Sequence, residues 1–457
     1  MEGKPLILRG GTVVCEHEVL ANHDVVIEEG RITAVRPSGA CPSLGLIESA
    51  QSIIDAAADH TGRTGESSPD AKDRTREPSP DAPVVIDAKG CYVVPGIIDI
   101  HSDYIESVAS PRPNVILNLA SSLFEAEREL VAHGVTTIYH SLSLYQQKIF
   151  DHKPIRNFEN VSALIGHIQA LRTGEERNHL IRHRLHLRVE IDAVDLFEAI
   201  KGYLAGGVLD LISFMDHTPG QGQYADLKVF GTIMKGYRDI SDEAIAEIVT
   251  SQQASSKLSL EQMVMLSRMA REQGIAVASH DDDTCEKLDL MEQVGTSISE
   301  FPITLAVAKS ARERGMHTLA GAPNVVAGRS HSDNLSAREA VCDGLVDILC
   351  SDYYPASLLS AVFTLHQDCK IGLAQAFALV SLNPARAVHL DKEFGSIATG
   401  KRADVLLVRE LEDGTPVVTQ SFVGGHRVYQ SYYPQFVPGI EGEAATIDAQ
   451  RETVSVM

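Results

Sequence analysis

A chain of 457 residues can bury a large core, with room for one barrel of typically about 250 residues and an accessory domain. Its formal net charge of −22 excludes a general basic field for nucleic acid or an anionic membrane, so an anionic substrate would need local cations, either metal ions or a few placed arginines and lysines. No apolar run is long enough to span a bilayer, the opening MEGKPLILRGGTVV does not read as a secretory signal, and seven cysteines without CxxC spacing read as reduced thiols; a cytoplasmic protein is the expectation.

In chain order, residues 5–36 carry short strand-like runs (LILRGGTVV, HDVVIEEG, RITAVR) punctuated by turn residues. Residues 57–83 are rich in Ser, Pro, Asp and Arg and nearly free of large apolar side chains, the composition of a disordered insertion. From 91 to about 390, buried-strand runs alternate with amphipathic helical stretches, which predicts βα units and a parallel sheet. The runs are 93–102, 134–140, 184–190, 209–215, 274–280, 296–301, 316–321 and 346–352, eight in number, as a closed α/β (β/α)8 TIM barrel requires. Strand-like runs return at 401–430. The expected organisation is a small β-sandwich domain built from both ends (1–90 and 396–435), a barrel at 91–395 and a tail at 436–457.

Polar residues cluster at the carboxyl ends of these runs. His101 and Asp103 end the first, Glu190 the third, His217 follows the fourth, His280 ends the fifth and Asp352 the eighth. In a (β/α)8 barrel all these ends converge on one face. His101 and Asp103 also share one face of a strand by period-two geometry. Three imidazoles and three carboxylates suit one or two divalent cations of the zinc, manganese or iron type, with Glu190 able to bridge a pair about 3.5 to 4 Å apart. Taken singly, His217 or His280 reads as a structural histidine, Asp216, Asp281, Asp282 and Asp283 as helix N-caps, and Glu190 as a partner of Arg184 or Arg188. The chain has no GxSxG elbow, GxGxxG turn or P-loop.

Phosphate could be met by Arg112, Arg184, Arg188, Lys235, Arg238, Arg329 and His331, each more ordinary as a surface residue when taken alone. Arg112 and the Arg329–Asn334 loop lie just beyond strand ends. The stretch APNVVAGRS, with Asn324, has the glycine and proline content of a loop that offers backbone amides to an anion.

The motifs VVPGIIDIHSDYIES, HRLHLRVE, SFMDHTPGQGQ, ASHDDDT, EFPITLAVA, GAPNVVAGRSHSDN and ILCSDYYPASLL closely resemble the amidohydrolase superfamily, in its phosphonate branch, from about residue 5 to 430 outside a 41–84 insertion. The resemblance implies hydrolysis of α-D-ribose 1-methylphosphonate 5-triphosphate to the 5-phosphate and pyrophosphate, in phosphonate catabolism. It also implies two divalent ions held by His101, Asp103, Glu190, His217, His280 and Asp352, with Asp352 and Glu190 catalytic and Asp352 orienting or deprotonating the attacking water. Arg112, Arg188, Lys235, Asn324, Arg329 and His331 are the expected substrate contacts. The partner is then a small phosphorylated sugar, with no nucleic acid or membrane; a homo-oligomer stays open. The HxD and the glutamate depart from the superfamily's HxH and carbamylated lysine, and His217 and His280 fall one strand earlier than is customary there. Two other readings stand beside this one: an amidase or deaminase acting on a cyclic amide or nucleobase, favoured by a cation-poor pocket, and a non-catalytic barrel, favoured by an empty metal site.

Overall fold

The computed structural model describes residues 4–39, 83–145, 153–173, 179–224, 227–237, 240–328 and 335–433. The 57–83 segment, apart from Pro83, and the 436–457 tail lie outside them. Near the amino end, valine- and isoleucine-rich runs form β1 (Leu6–Val14), β2 (Val19–Glu28), β3 (Arg31–Pro37), β4 (Val84–Asp87) and β5 (Tyr92–Pro95). β1 pairs antiparallel with β2 and parallel with both β4 and β5. The far end of the chain joins them: β14 (Val405–Glu410) lies antiparallel to β5, followed by β15 (Pro416–Val423) and β16 (His426–Gln430). Both ends therefore make one mixed sheet. It curls on itself, for Ile32 donates to the Lys401 carbonyl and Ala403 to that of Gly30, each at 2.9 Å. Leu8, Val13, Val25, Val93, Val405, Leu407 and Phe422 fill the inside of the curl.

The eight expected barrel runs form β6 (Ile97–Ser102), β7 (Val135–Leu144), β8 (Arg182–Glu190), β9 (Leu211–Met215), β10 (Ala276–His280), β11 (Ile298–Glu300), β12 (His317–Gly321) and β13 (Ile348–Cys350), paired in parallel in chain order. Ser102 bridges to Asp352 and the Ser351 hydroxyl donates to that of Ser102 at 2.8 Å, which brings β13 back to β6. The first run, 93–102, divides at Gly96 into β5, which belongs to the end sheet, and β6, which belongs to the barrel. Only glycine fits there: a Cβ would stand 2.3 Å from Thr136 Oγ1.

Period two sorts the residues of each strand. Along β8, His186, Arg188 and Glu190 point into the barrel while Leu185, Leu187 and Val189 pack outward among the helices. Ile98, Ile100, Tyr139, Leu211, Ala278, Ile298, Leu319 and Ile348 fill the lower interior. One correction concerns the thiols. Cys342 and Cys369, at the ends of helices Ala337–Cys342 and Ser357–Asp368, form a disulfide that no spacing motif announced, while Cys15, Cys91, Cys285 and Cys350 are free. Among the described residues no helix is long and apolar enough to cross a membrane.

Candidate active site

At the carboxyl ends of the barrel strands the apolar filling gives way to imidazoles and carboxylates. His101 on β6, Glu190 on β8, His280 on β10 and Glu300 on β11 are contributed by the strands themselves. Asp103, His217, Asp281 and Asp352 follow within the next two residues of their strands. The chain turns sharply to place them: Asp281, Phe301 and Asp352, each within two residues of its strand's end, have φ of 52°, 53° and 57°. Left-handed backbone at non-glycine residues is costly and collects at functional sites. Backbone bonds lock two of these turns. Asp103 N–H donates to the Asp352 carbonyl at 2.8 Å, and Asp281 N–H to that of Glu300 at 2.8 Å.

The side chains satisfy one another only in part. His101 Nδ1 is 3.1 Å from Glu300 Oε1, and His280 Nδ1 is 3.1 Å from Glu300 Oε2. His217 Nδ1 meets Glu190 Oε1 at 2.6 Å, and its Nε2 lies 3.4 Å from Asp281 Oδ2. Yet both ring nitrogens of His101, Glu190 Oε2, His217 Nε2, Asp281 Oδ2 and Glu300 Oε1 are buried without a hydrogen-bond partner. Unpartnered buried polar atoms are rare because each costs about 1–3 kcal/mol. Donor atoms of His101, His280 and Glu300, and of His217, His280 and Asp281, lie within 4.8 Å of one another, so two overlapping groups sharing His280 fit divalent cations.

The electrostatics agree with that fit. Burial, aided by the Arg188 charge, holds His101 and His280 well below the usual imidazole range, which leaves both neutral, the form that binds a metal. Burial, then the charge of Asp103, pushes Asp352 up to about 7, and burial raises Glu300. His217 goes the other way. Burial opposes its charge, but the carboxylates of Glu190 and Asp281 lift it to about 10. Acids crowded and raised in this way outnumber the arginines beside them, a set whose charge a divalent cation would offset.

All six residues nominated as metal ligands are thus at one mouth, His217 after the fourth barrel strand and His280 on the fifth. Asp103 is also held by Arg156, whose Nη2 is 3.3 Å away and whose Nε grips both oxygens of Glu106 at 3.0 and 2.8 Å. Asp281 is a site residue rather than a helix cap, the following helix being capped by Thr284. Glu190 pairs with His217 and not with an arginine. Of the expected substrate contacts, Arg188 is in the mouth, with Nη2 3.3 Å from His280 Nε2. Arg112 is exposed, and Lys235 is exposed and paired with Asp242 at 2.6 Å; among the described residues neither has a hydrogen bond or ion pair to the ligand set. Asn324 is half-buried on the short helix Ala322–Ala327 that follows β12. Arg238, Arg329 and His331 lie outside the described residues.

Sequence reasoning missed Glu300, Asp281, Lys153 and Arg156. Glu300 ends its run just as Glu190 ends its own, so the same rule reaches it. Lys153 and Arg156 come from the loop before helix Phe158–Thr173 and have no strand-end signal. Arg156 lies 3.3 Å from Asp103 and Arg188 3.3 Å from His280, so two guanidinium groups flank the ligand set, and Lys153 stands one turn before Arg156, its carbonyl accepting from Arg156 N–H at 2.9 Å.

The sequence pattern of the amidohydrolase family matches residues 187–428. The alpha-D-ribose 1-methylphosphonate 5-triphosphate diphosphatase of Escherichia coli is 34% identical over 334 residues, covering 72% of this chain and 86% of that protein. In fold, the chain is similar to N-acetylglucosamine-6-phosphate deacetylase from Pasteurella multocida, at 12% identity, 93% and 99% coverage of the two chains and a TM-score of 0.57. It is also similar to a D-hydantoinase, at 13% identity, 93% and 95% coverage and a TM-score of 0.55.

Proposed function

The chain belongs to the amidohydrolase family and is a hydrolase, and from that premise we propose that it cleaves a phosphoric anhydride bond of a ribose phosphonate triphosphate, releasing pyrophosphate. The carrying observation is the pair of guanidinium groups beside the ligand set, Arg156 at 3.3 Å from Asp103 and Arg188 at 3.3 Å from His280, in a chain whose net charge is −22. Cations so placed suit a substrate richer in negative charge than a cyclic amide. The likeness to the E. coli diphosphatase supports the same choice. Against the amidase reading stands a pocket that is not cation-poor.

The ligands His101, Asp103, Glu190, His217, His280, Asp281, Glu300 and Asp352 would hold divalent cations, which supply charge neutralisation and an acidified water. The rest falls to the chain's own groups. Asp352, pushed up to about 7, is poised to take a proton from an attacking water near neutrality. Arg188 offers a planar fork to phosphoryl oxygens as charge builds on the leaving pyrophosphate. Glu190 fixes the His217 ring through its 2.6 Å contact. Phe301, edge-on to the rings of His101 and His280 at 5.0 and 5.2 Å, walls the floor of the site.

The test is to incubate metal-loaded protein with α-D-ribose 1-methylphosphonate 5-triphosphate and, separately, with hydantoins and nucleobases. Pyrophosphate and the 5-phosphate are expected from the first only. No pyrophosphate above a metal-free control overturns the reading.

A further inference from the structure

A second group of nitrogen and oxygen donors lies outside the barrel. We propose that Glu127, His179 and His183 form a separate zinc-type divalent-cation site between helix Leu119–Ala132 and the outer wall of β7 and β8. It is not part of the mouth. On β8, His183 has the parity of the outward residues Leu185, Leu187 and Val189, whereas Glu190 of the mouth is at the strand's other end. Glu127 is on the helix that covers this wall, and its side chain is fully buried.

Three observations carry the assignment. First, Glu127 Oε2 is 3.2 Å from His183 Nε2 and 3.4 Å from His179 Nδ1, while about 3.3 Å is the edge of a tetrahedron with bonds of about 2.0–2.1 Å, the usual length for zinc with nitrogen or carboxylate oxygen. Second, Glu127 Oε1 and His179 Nδ1 are buried and have no hydrogen-bond partner. A purely structural cluster gains nothing from stranding them, whereas a cation would take His179 Nδ1 as a ligand and offset the charge of the Glu127 carboxylate. Third, the other nitrogen of His183, Nδ1, is 2.9 Å from His140 Nε2, a buried ring stacked on it at a centroid distance of 5.2 Å. Metal-bound histidines characteristically use their free ring nitrogen in this way, which fixes the tautomer and leaves Nε2 for the metal. Leu180 N–H, donating to Glu127 Oε2 at 2.9 Å, orients the carboxylate. With three protein donors, a fourth position is open to water. Such an ion ties the segment entering β8 to the helix packed over it.

The experiment uses the full chain, stripped with chelator, reloaded with Zn²⁺ and desalted, with metal counted by elemental analysis and thermal midpoint read with and without zinc. His179→Ala is the chief variant, and Glu127→Gln a second in case either folds poorly; metal-free circular dichroism and midpoint matching the wild type show that the fold is intact. The proposal expects each to hold one equivalent of zinc fewer than the wild type and to lose part of the zinc-induced rise in midpoint, with mouth activity kept. His140→Gln, which removes only the support, should weaken zinc binding by about 10- to 100-fold. Asp352→Asn, altered at the mouth, should keep the outer equivalent. Unchanged zinc content and midpoint in both His179→Ala and Glu127→Gln overturn the site, and would leave the mouth and its reaction untouched.

Discussion

The two ends of the same barrel treat buried charge in opposite ways. At the amino-terminal base three carboxylates stand just before a strand and are each matched by an arginine from a neighbouring element. Asp210 meets Arg184 at 2.7 Å and Arg172 at 3.2 Å and accepts from Leu185 N–H at 2.9 Å; Asp347 meets Arg312 at 2.7 Å and accepts from Thr318 N–H at 2.9 Å; Asp404 meets Arg182 and accepts from Gly424 N–H at 2.8 Å. At the mouth, acids and imidazoles come together with their donor atoms unmatched. Buried carboxylates stand at both ends; what differs is how far the protein itself completes their hydrogen bonding. Where it does, the group stabilises the fold, and where it does not, the group waits for something else.

This contrast predicts that the two ends separate cleanly on substitution. The largest effect belongs to the mouth. Removing metal, or changing Asp352→Asn, should lower kcat by about 10²–10⁴-fold or more while leaving the thermal midpoint of the metal-free protein unchanged or slightly raised, since one of several crowded acids has gone. Steady-state kinetics beside thermal melts decides it, and a fall in both measures would erase the distinction. Next comes Arg188→Met. Losing its charge-assisted contacts is worth about 1.5–3 kcal/mol, so kcat/KM for a triphosphate should fall by roughly 10- to 150-fold, and that for an uncharged ester much less. Equal losses on both would deny Arg188 a role with phosphate.

At the base the outcome should reverse. Asp210→Asn weakens two arginine contacts on a nearly buried carboxylate and should cost about 2 kcal/mol of stability, read by urea unfolding, with kcat unchanged. A substantial kcat loss at preserved stability would place Asp210 among the functional residues instead.

How far the sequence reached can be followed along β8. RLHLRVE read as a strand, whose alternation the structure resolves into inward and outward faces, and the strand-end rule drew Glu190 to the mouth beside residues about 90 and 160 positions away in the chain. That rule works because a closed parallel barrel gathers all its carboxyl ends, so topology converts a one-dimensional position into a place. Arg184 and Arg188 show its limit. They share a face, and alternation alone ranks them equally, but four residues of rise, about 13 Å, put one at the base with Asp210 and the other, the one expected to meet substrate, beside His280. Lys153 and Arg156 were out of reach for a different reason: they sit in a loop, where no periodicity fixes direction. The Cys342–Cys369 bridge depends on how two helices pack, which 27 residues of separation do not encode.

The finest test of the contrast is pH. Burial opposes the charge of Asp347, yet the hydrogen bond and charge of His317, the Thr318 amide and Arg312 together hold its carboxyl below the usual range. A carboxyl whose folded pKa lies below its unfolded value, about 3.9, adds stability at any pH above the unfolded value, and that addition vanishes as pH falls through the folded one. The wild type should therefore be more stable than Asp347→Asn near pH 6, and the gap should narrow as pH drops from about 4 toward 3. Asp352 must behave in the opposite sense, because its pKa is raised to about 7: in the metal-free protein Asp352→Asn should be the more stable of the two near pH 6, and that reversed gap should shrink as pH falls toward about 4. Urea midpoints for the two variants across that range measure both. A gap for Asp347→Asn that does not narrow on acidification would mean that its pairing adds nothing to the fold, and the base would lose its distinction from the mouth.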